Sequence, residues 1–177
     1  MKYKEPKGFF EFLKIKRLYN SAFPKCERKP FSIIRAMNKK GKTDIMYFYD
    51  EDGFAGFATT INGESEILVD YLAIDSKKRG RGKGKSALSL ILERYGALGV
   101  FLEIEIPYED VKNCEERKRR KKFYLASGFT EAKTYAKLFG VDMELLCVNC
   151  HLTFDEYRNF YLENYGRFAY DNISEIN

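Results

Sequence analysis

Between Ala73 and Leu92 the sequence reads AIDSKKRGRGKGKSALSLIL, and the change of pattern inside that stretch restricts the fold more than any other feature. It enters on apolar residues of strand type, crosses Gly80, Gly82 and Gly84 set among lysines and arginines, and leaves with apolar residues at helical spacing. Glycine lets a backbone approach an anion closely, and a helix starting at such a turn directs unpaired N–H groups and the positive end of its dipole outward. A strand, a tight turn and a helix in that order make a phosphate cradle in principle. The alternative is a solvated basic connection between two elements.

The flanking sequence predicts what surrounds this turn. FFEFLKIKRLYNSAF places Phe9, Phe12, Leu13, Tyr19 and Phe23 at helical spacing before Pro24, and KPFSIIRAMNKKG predicts a second helix between Pro30 and Gly41, so that two helices precede any strand. Residues 43–75 hold three runs rich in aromatic and β-branched residues, divided at Asp52-Gly53 and Asn62-Gly63, which is the pattern of an antiparallel meander. A helix from about Gly84 to Tyr95 follows, then a strand VFLEIEIP with Glu103 and Glu105 on one face, then a helix within EERKRRKKFYLASGF closed by Gly128. Two further strand-like runs and an amphipathic helix through Phe154, Tyr157, Tyr161 and Tyr165 complete the chain. The expectation is one α+β domain over 1–177, a mixed and mostly antiparallel sheet flanked by helices, with a C-terminal helical extension from about residue 153.

Bulk properties narrow the function. With 177 residues, 45% of them hydrophobic, the chain is long enough to bury a core. A net charge of +5 suits a phosphate-bearing ligand and is too mild to call for nucleic acid, and the excess concentrates in Lys77–Lys85 and Arg117–Lys122. The N-terminal stretch has charges threaded through its apolar residues and no run of about 18 apolar residues occurs, so no membrane span and no cleaved signal is expected, and a cytoplasmic protein with reduced Cys26, Cys114, Cys147 and Cys150 is the reading.

Spacing then discriminates among anions. From Gly80 the sequence gives G-R-G-K-G-K, which puts the last glycine of a dinucleotide fingerprint one place early. A P-loop ends in Gly84-Lys85-Ser86 but has Arg79 where its first glycine belongs. The pattern Arg/Gln-x-x-Gly-x-Gly/Ala fits as Arg79-Gly80-Arg81-Gly82-Lys83-Gly84, and here the chain resembles the GNAT superfamily of N-acetyltransferases. A second stretch, KFYLASGF, resembles that family's FY-x-x-x-GF helix end, with Tyr124 in the tyrosine position. The asparagine that family members often carry seven residues earlier is Arg117 here.

The resemblance implies acetyl-coenzyme A as co-substrate and a primary amine as acceptor, with direct transfer in a ternary complex and no metal. It implies that backbone groups of Leu72, Ala73 and Ile74 pair with the pantetheine arm, and that Arg79, Gly80, Arg81, Gly82, Lys83, Gly84, Lys85 and Ser86 surround the pyrophosphate. Tyr124 is then the acid for the departing thiolate, and a carboxylate must take the amine proton. Asp70 and Glu105 are the candidates, with Glu103 in reserve; the alternative is that these carboxylates are solvent-facing strand positions or ion-pair partners of Arg117–Lys122. Such carboxylates favour a cationic acceptor, of small-molecule or peptide type, and a homodimer is left open. CVNCH, Cys147 to His151, matches a haem-attachment pattern but has neither an export signal nor a second ligand pair, so no metal or haem role is assigned. Two other readings stay open: a P-loop-like nucleotide-binding protein, and a non-enzymatic nucleic-acid-binding module that uses the basic runs.

Overall fold

The computed structural model describes residues 1–176, with the side chain of Cys26 outside the described set. The chain forms two compact units that interleave in sequence, Met1–Asn62 with Val69–Arg94, and Gly63–Leu68 with the residues from Tyr95 onward.

The first unit contains β1 (Lys2–Lys4), α1 (Phe9–Ala22), α2 (Phe31–Lys39), β2 (Thr43–Asp50), β3 (Gly53–Asn62), most of β4 (Glu66–Ile74) and α3 (Lys83–Tyr95), its strands in the order β1-β2-β3-β4. The expectation of two helices before any strand is corrected by β1, which is only three residues long and two-thirds lysine, so its pattern carries no strand signal; it forms by pairing with Tyr47–Tyr49 of β2. The β2–β3 hairpin turns through Glu51 and Asp52, with Gly53 at φ +93° opposite Asp50. Residues of β2 and β3 are buried on both faces. Ile15, Leu18 and Tyr19 of α1 and Ile34 of α2 pack with Ile45, Tyr47, Phe57, Tyr71 and Ala73, which places Tyr71 and Ala73 of β4 on the helix-covered face. Gly56 has a steric reason: a Cβ there would lie 2.4 Å from the Ala73 carbonyl oxygen.

The second unit takes the first residues of β4 and adds β5 (Gly99–Glu105), α4 (Cys114–Leu125), β6 (Thr130–Leu138), β7 (Val141–Val148), α5 (Phe154–Tyr165), α6 (Arg167–Asp171) and β8 (Ile173–Glu175), with the strand order β4-β5-β7-β6-β8. The β5–β7, β6–β7 and β6–β8 pairings are antiparallel. β4 and β5 pair in parallel over Glu66↔Gly99, Ile67↔Val100 and Leu68↔Phe101. Thr153 and Glu156 form a reciprocal capping box that starts α5, and Phe101 packs edge-on against Phe160 at 5.0 Å between ring centres. The mixed, mostly antiparallel sheet with flanking helices is as expected; α6 and β8 are additional.

Candidate functional site

The turn after β4 is built by local rules. The Asp75 carboxylate accepts the Lys77 N–H at 3.0 Å and caps a short 3-10 turn over Ser76–Lys78. Gly80 at φ +74° and Gly82 at φ +69° then adopt the left-handed conformation, and no heavy atom lies within 4 Å of where either Cβ would stand. Glycine is therefore favoured by backbone geometry, and the space beside it is open. The Ser86 N–H donates to the Gly82 carbonyl at 3.0 Å and closes the first turn of α3. The N–H groups of Lys83, Gly84 and Lys85 precede any intrahelical acceptor and stay available at the positive end of the helix dipole.

The basic residues of the turn divide into two sets. Lys78 and Lys83 fold onto Asp50 at the end of β2, Lys83 at 2.8 Å, and both ammonium groups hold that carboxyl far below the usual carboxylate range. Arg79 donates its Nε–H to the Ile74 carbonyl at 3.0 Å, while Arg81 and Lys85 are exposed. Asp50 lies outside the sequence reading because nothing near it in the chain marks it; its partners are 28 and 33 residues away.

Leu72, Ala73 and Ile74 occupy the end of β4. Beyond Leu68 the ladder to β5 has ended, so one row of main-chain groups on this part of β4 has no strand partner among the described residues. Asp70 lies in the same strand, beside Tyr71. Its Oδ1 is 2.8 Å from the Lys29 ammonium. Lys29 is itself fixed: its N–H donates to the Tyr71 hydroxyl at 3.2 Å, its carbonyl accepts from the Tyr19 hydroxyl at 3.0 Å, and the Tyr71 hydroxyl donates to the Glu27 carbonyl at 2.8 Å. Burial, with the Asp70 charge nearby, pushes the Tyr71 phenol well above its ordinary value.

In the second unit Glu105 accepts from Arg117 at 2.7 Å, and the same guanidinium donates to the Ile106 carbonyl at 2.8 Å. The ion-pair alternative for Glu105 is thus what the side chains form, and Arg117 is bound to the end of β5. Glu103 accepts the hydroxyls of Tyr157 and Tyr161 on one oxygen, each at 2.7 Å. Burial, then the Glu103 charge, drive the Tyr157 phenol far up. Tyr124 is half-buried on α4, its ring 5.2 Å from that of Phe123 and 5.9 Å from that of Phe129. Burial raises its phenol and Arg120 opposes the rise, so the hydroxyl keeps its proton at neutral pH. No hydrogen bond engages that hydroxyl among the described residues.

The described cysteines, Cys114, Cys147 and Cys150, are free thiols, and Cys26 lies outside the described side chains. Burial, with Cys147 close by, pushes the Cys150 thiol up to about 12. No cluster of His, Cys, Asp or Glu suited to a metal ion, and no helix long and apolar enough to cross a membrane, is found among the described residues.

No family profile matches the sequence, and no curated protein matches it. Solved structures do. A protein assigned to the GNAT acetyltransferases from Bacteroides thetaiotaomicron aligns over 94% of this chain and 99% of its own, with a TM-score of 0.79 at 22% identity. The fold is that of the GNAT acetyltransferases. Spermidine N-acetyltransferase from Vibrio cholerae, solved with coenzyme A and spermine, has a TM-score of 0.65 over 83% of this chain and 94% of its own at 12% identity. An aminoglycoside 6'-N-acetyltransferase solved with coenzyme A has a TM-score of 0.66 over 84% and 96% at 13% identity. At these identities the GNAT likeness describes the backbone, and the chemistry has to be argued from the side chains above.

Proposed function

We propose that the protein is a GNAT N-acetyltransferase that moves an acetyl group from acetyl-coenzyme A to a primary amine. The observation that carries this reading is the end of β4: a row of strand groups with no strand partner among the described residues, running into two left-handed glycines with open space beside them, at the start of a helix. These residues fit the coenzyme. Main-chain N–H groups from Gly80 to Lys85 would hold the pyrophosphate, the Arg79 N–H being already engaged with the Ser76 carbonyl at 3.4 Å so that Arg79 could contribute only through its side chain, and the edge groups of Leu72, Ala73 and Ile74 would pair with the pantetheine arm as an added strand does, with Ser86 closing the turn.

When bound, acetyl-coenzyme A supplies an activated thioester. A β4 N–H would polarise its carbonyl oxygen. Tyr124, protonated at neutral pH, is the proposed donor to the departing sulfur. Asp70 and Glu105 are the proposed acceptors of the amine proton, each of which must first exchange a cation contact, with Lys29 or Arg117, for the amine. The same carboxylates favour a cationic acceptor, in keeping with the spermine of the Vibrio cholerae structure. Transfer is direct, within a ternary complex, and the protein works in the cytoplasm.

Titration calorimetry with acetyl-coenzyme A, followed by thiol release across a panel of amines, tests the reading. Saturable binding without magnesium supports it. Magnesium-dependent binding of ATP or GTP would instead make this a nucleotide-binding protein, and salt-sensitive nucleic-acid binding indifferent to coenzyme A would make it a nucleic-acid module.

A further inference from the structure

A cleft of about 350 Å³ in the first unit opens between α1 and the end of β4. Lys14 and Arg17 line it from α1, Ser76 and Arg79 from the turn, and Phe54 from the start of β3. One carboxylate lies among them, that of Asp75, and its Oδ1 is engaged with the Lys77 N–H at 3.0 Å. Neither Lys14 nor Arg17 has a carboxylate partner among the described residues, and Arg79, which also lines the cleft, engages only its Nε–H, on the Ile74 carbonyl. This differs from the far side of the turn, where Lys78 and Lys83 are both neutralised by Asp50. Three cations against one carboxylate leave the recess net positive, and guanidinium, ammonium and hydroxyl donors are groups that bind phosphate oxygens.

We infer that this cleft is a second anion site that takes a phosphate monoester and is distinct from the pyrophosphate site on the glycine turn. The phosphate has two sources: the ribose 3'-phosphate of the coenzyme, which rests on the function proposed above, or a phosphate group on a separate ligand, which does not. Arg79 belongs to both the cleft and the turn, so occupancy of the cleft would also steady the turn.

The test uses the full chain and its Lys14→Gln/Arg17→Gln variant, both changes being at exposed positions of α1, with thermal melting to confirm folding. Three probes are titrated by calorimetry: coenzyme A, 3'-dephospho-coenzyme A, and inorganic phosphate in the presence of saturating 3'-dephospho-coenzyme A. If the coenzyme supplies the phosphate, the wild type prefers coenzyme A over the dephospho form by about tenfold or more, and the variant loses that preference while its affinity for the dephospho form is unchanged. If a separate ligand supplies it, inorganic phosphate binds the wild type alongside the coenzyme and no longer binds the variant. A variant that retains both the coenzyme preference and phosphate binding, or a wild type that shows neither, overturns the inference. Failure of both coenzyme forms to bind would overturn the proposed function instead; inorganic phosphate titrated alone against wild type and variant then decides the cleft.

Discussion

The Oδ2 atom of Asp50 lies 2.8 Å from the ammonium of Lys83 while its other oxygen holds Lys78, so one carboxylate at the end of β2 ties the two sides of the glycine-rich turn together. Lys78 ends the 3-10 turn and Lys83 begins α3. Between them are the left-handed glycines whose N–H groups would face the pyrophosphate. The carboxylate therefore sets the shape of the cradle rather than its charge.

Asp50→Asn should weaken acetyl-coenzyme A binding by about tenfold, because the turn loses its clamp, and should lower the thermal midpoint at neutral pH, because the ion pairs to Lys78 and Lys83 are lost. Tighter binding would show that the freed lysines reach the phosphates and that Asp50 competes for them. Acid adds a second check. The folded Asp50 carboxyl is held below its ordinary range, so its contribution is fully present above an unfolded value near ~3.9 and declines as the pH falls below that toward the folded value. The stability difference between wild type and Asp50→Asn, from urea unfolding, should be constant above about pH 5 and shrink below about pH 4.

Gly82→Asp and Gly84→Asp should each abolish coenzyme binding, for reasons that separate cleanly from folding. At Gly82 the backbone is at φ +69°, which aspartate tolerates better than most residues. At Gly84, in the first turn of α3, an aspartate interacts favourably with the helix dipole and replaces glycine in a helix, so the fold should be as stable or more so. Each adds a side chain and a negative charge where the pyrophosphate would lie. Calorimetry on the folded variants checks it, and retained affinity would move the coenzyme elsewhere.

What could be read in advance follows the distance over which each feature is written. The turns at Asp52-Gly53 and Asn62-Gly63, the stop at Gly128 with φ +98°, and the glycine turn itself depend on neighbours in sequence, and all stand where the residues place them. β1 and β8 are three-residue strands that exist by pairing with β2 and β6, and no local pattern announces them. The candidate site divides the same way. Its main-chain cradle is local, whereas the partners of its carboxylates are not: Lys29 reaches Asp70 across 41 residues, and Tyr157 and Tyr161 reach Glu103 across 54 and 58. Within the run ERKRRKK, Arg117 and Lys121 turn inward to Glu105 and Glu144, since α4 has no apolar stripe to lay on the sheet.

That inward pairing carries its own prediction. Glu144 is 2% exposed in β7, and both its oxygens lie 2.8 Å from the Lys121 ammonium. Lys121→Met would leave a buried carboxylate unpaired and should cost about 3 kcal/mol or more in urea unfolding. Adding Glu144→Leu should restore most of the loss, because the apolar pair removes both charges. A single variant as stable as wild type would show that water reaches Glu144.

Tyr124 is the residue on which the enzymatic reading turns. Its ring packs between those of Phe123 and Phe129, and its carbonyl accepts the N–H groups of Ser127 and Phe129 at 2.9 and 3.2 Å, so the residue is anchored by everything except its hydroxyl. Tyr124→Phe keeps the ring and the backbone contacts, and stability should change little. Burial keeps the phenol protonated through neutral pH, which is the state a proton donor needs. Loss of a positioned acid should lower the turnover number by about 10²-fold, equivalent to about 2.7 kcal/mol of transition-state stabilisation. Because the hydroxyl acts on charge that develops at sulfur, acetyl-coenzyme A affinity should be the same in both proteins. Thiol release with a competent amine, alongside calorimetry with the coenzyme, measures the two quantities separately. Full turnover in the variant would reduce Tyr124 to a packing aromatic, and unchanged turnover with weakened coenzyme affinity would make it a binding residue.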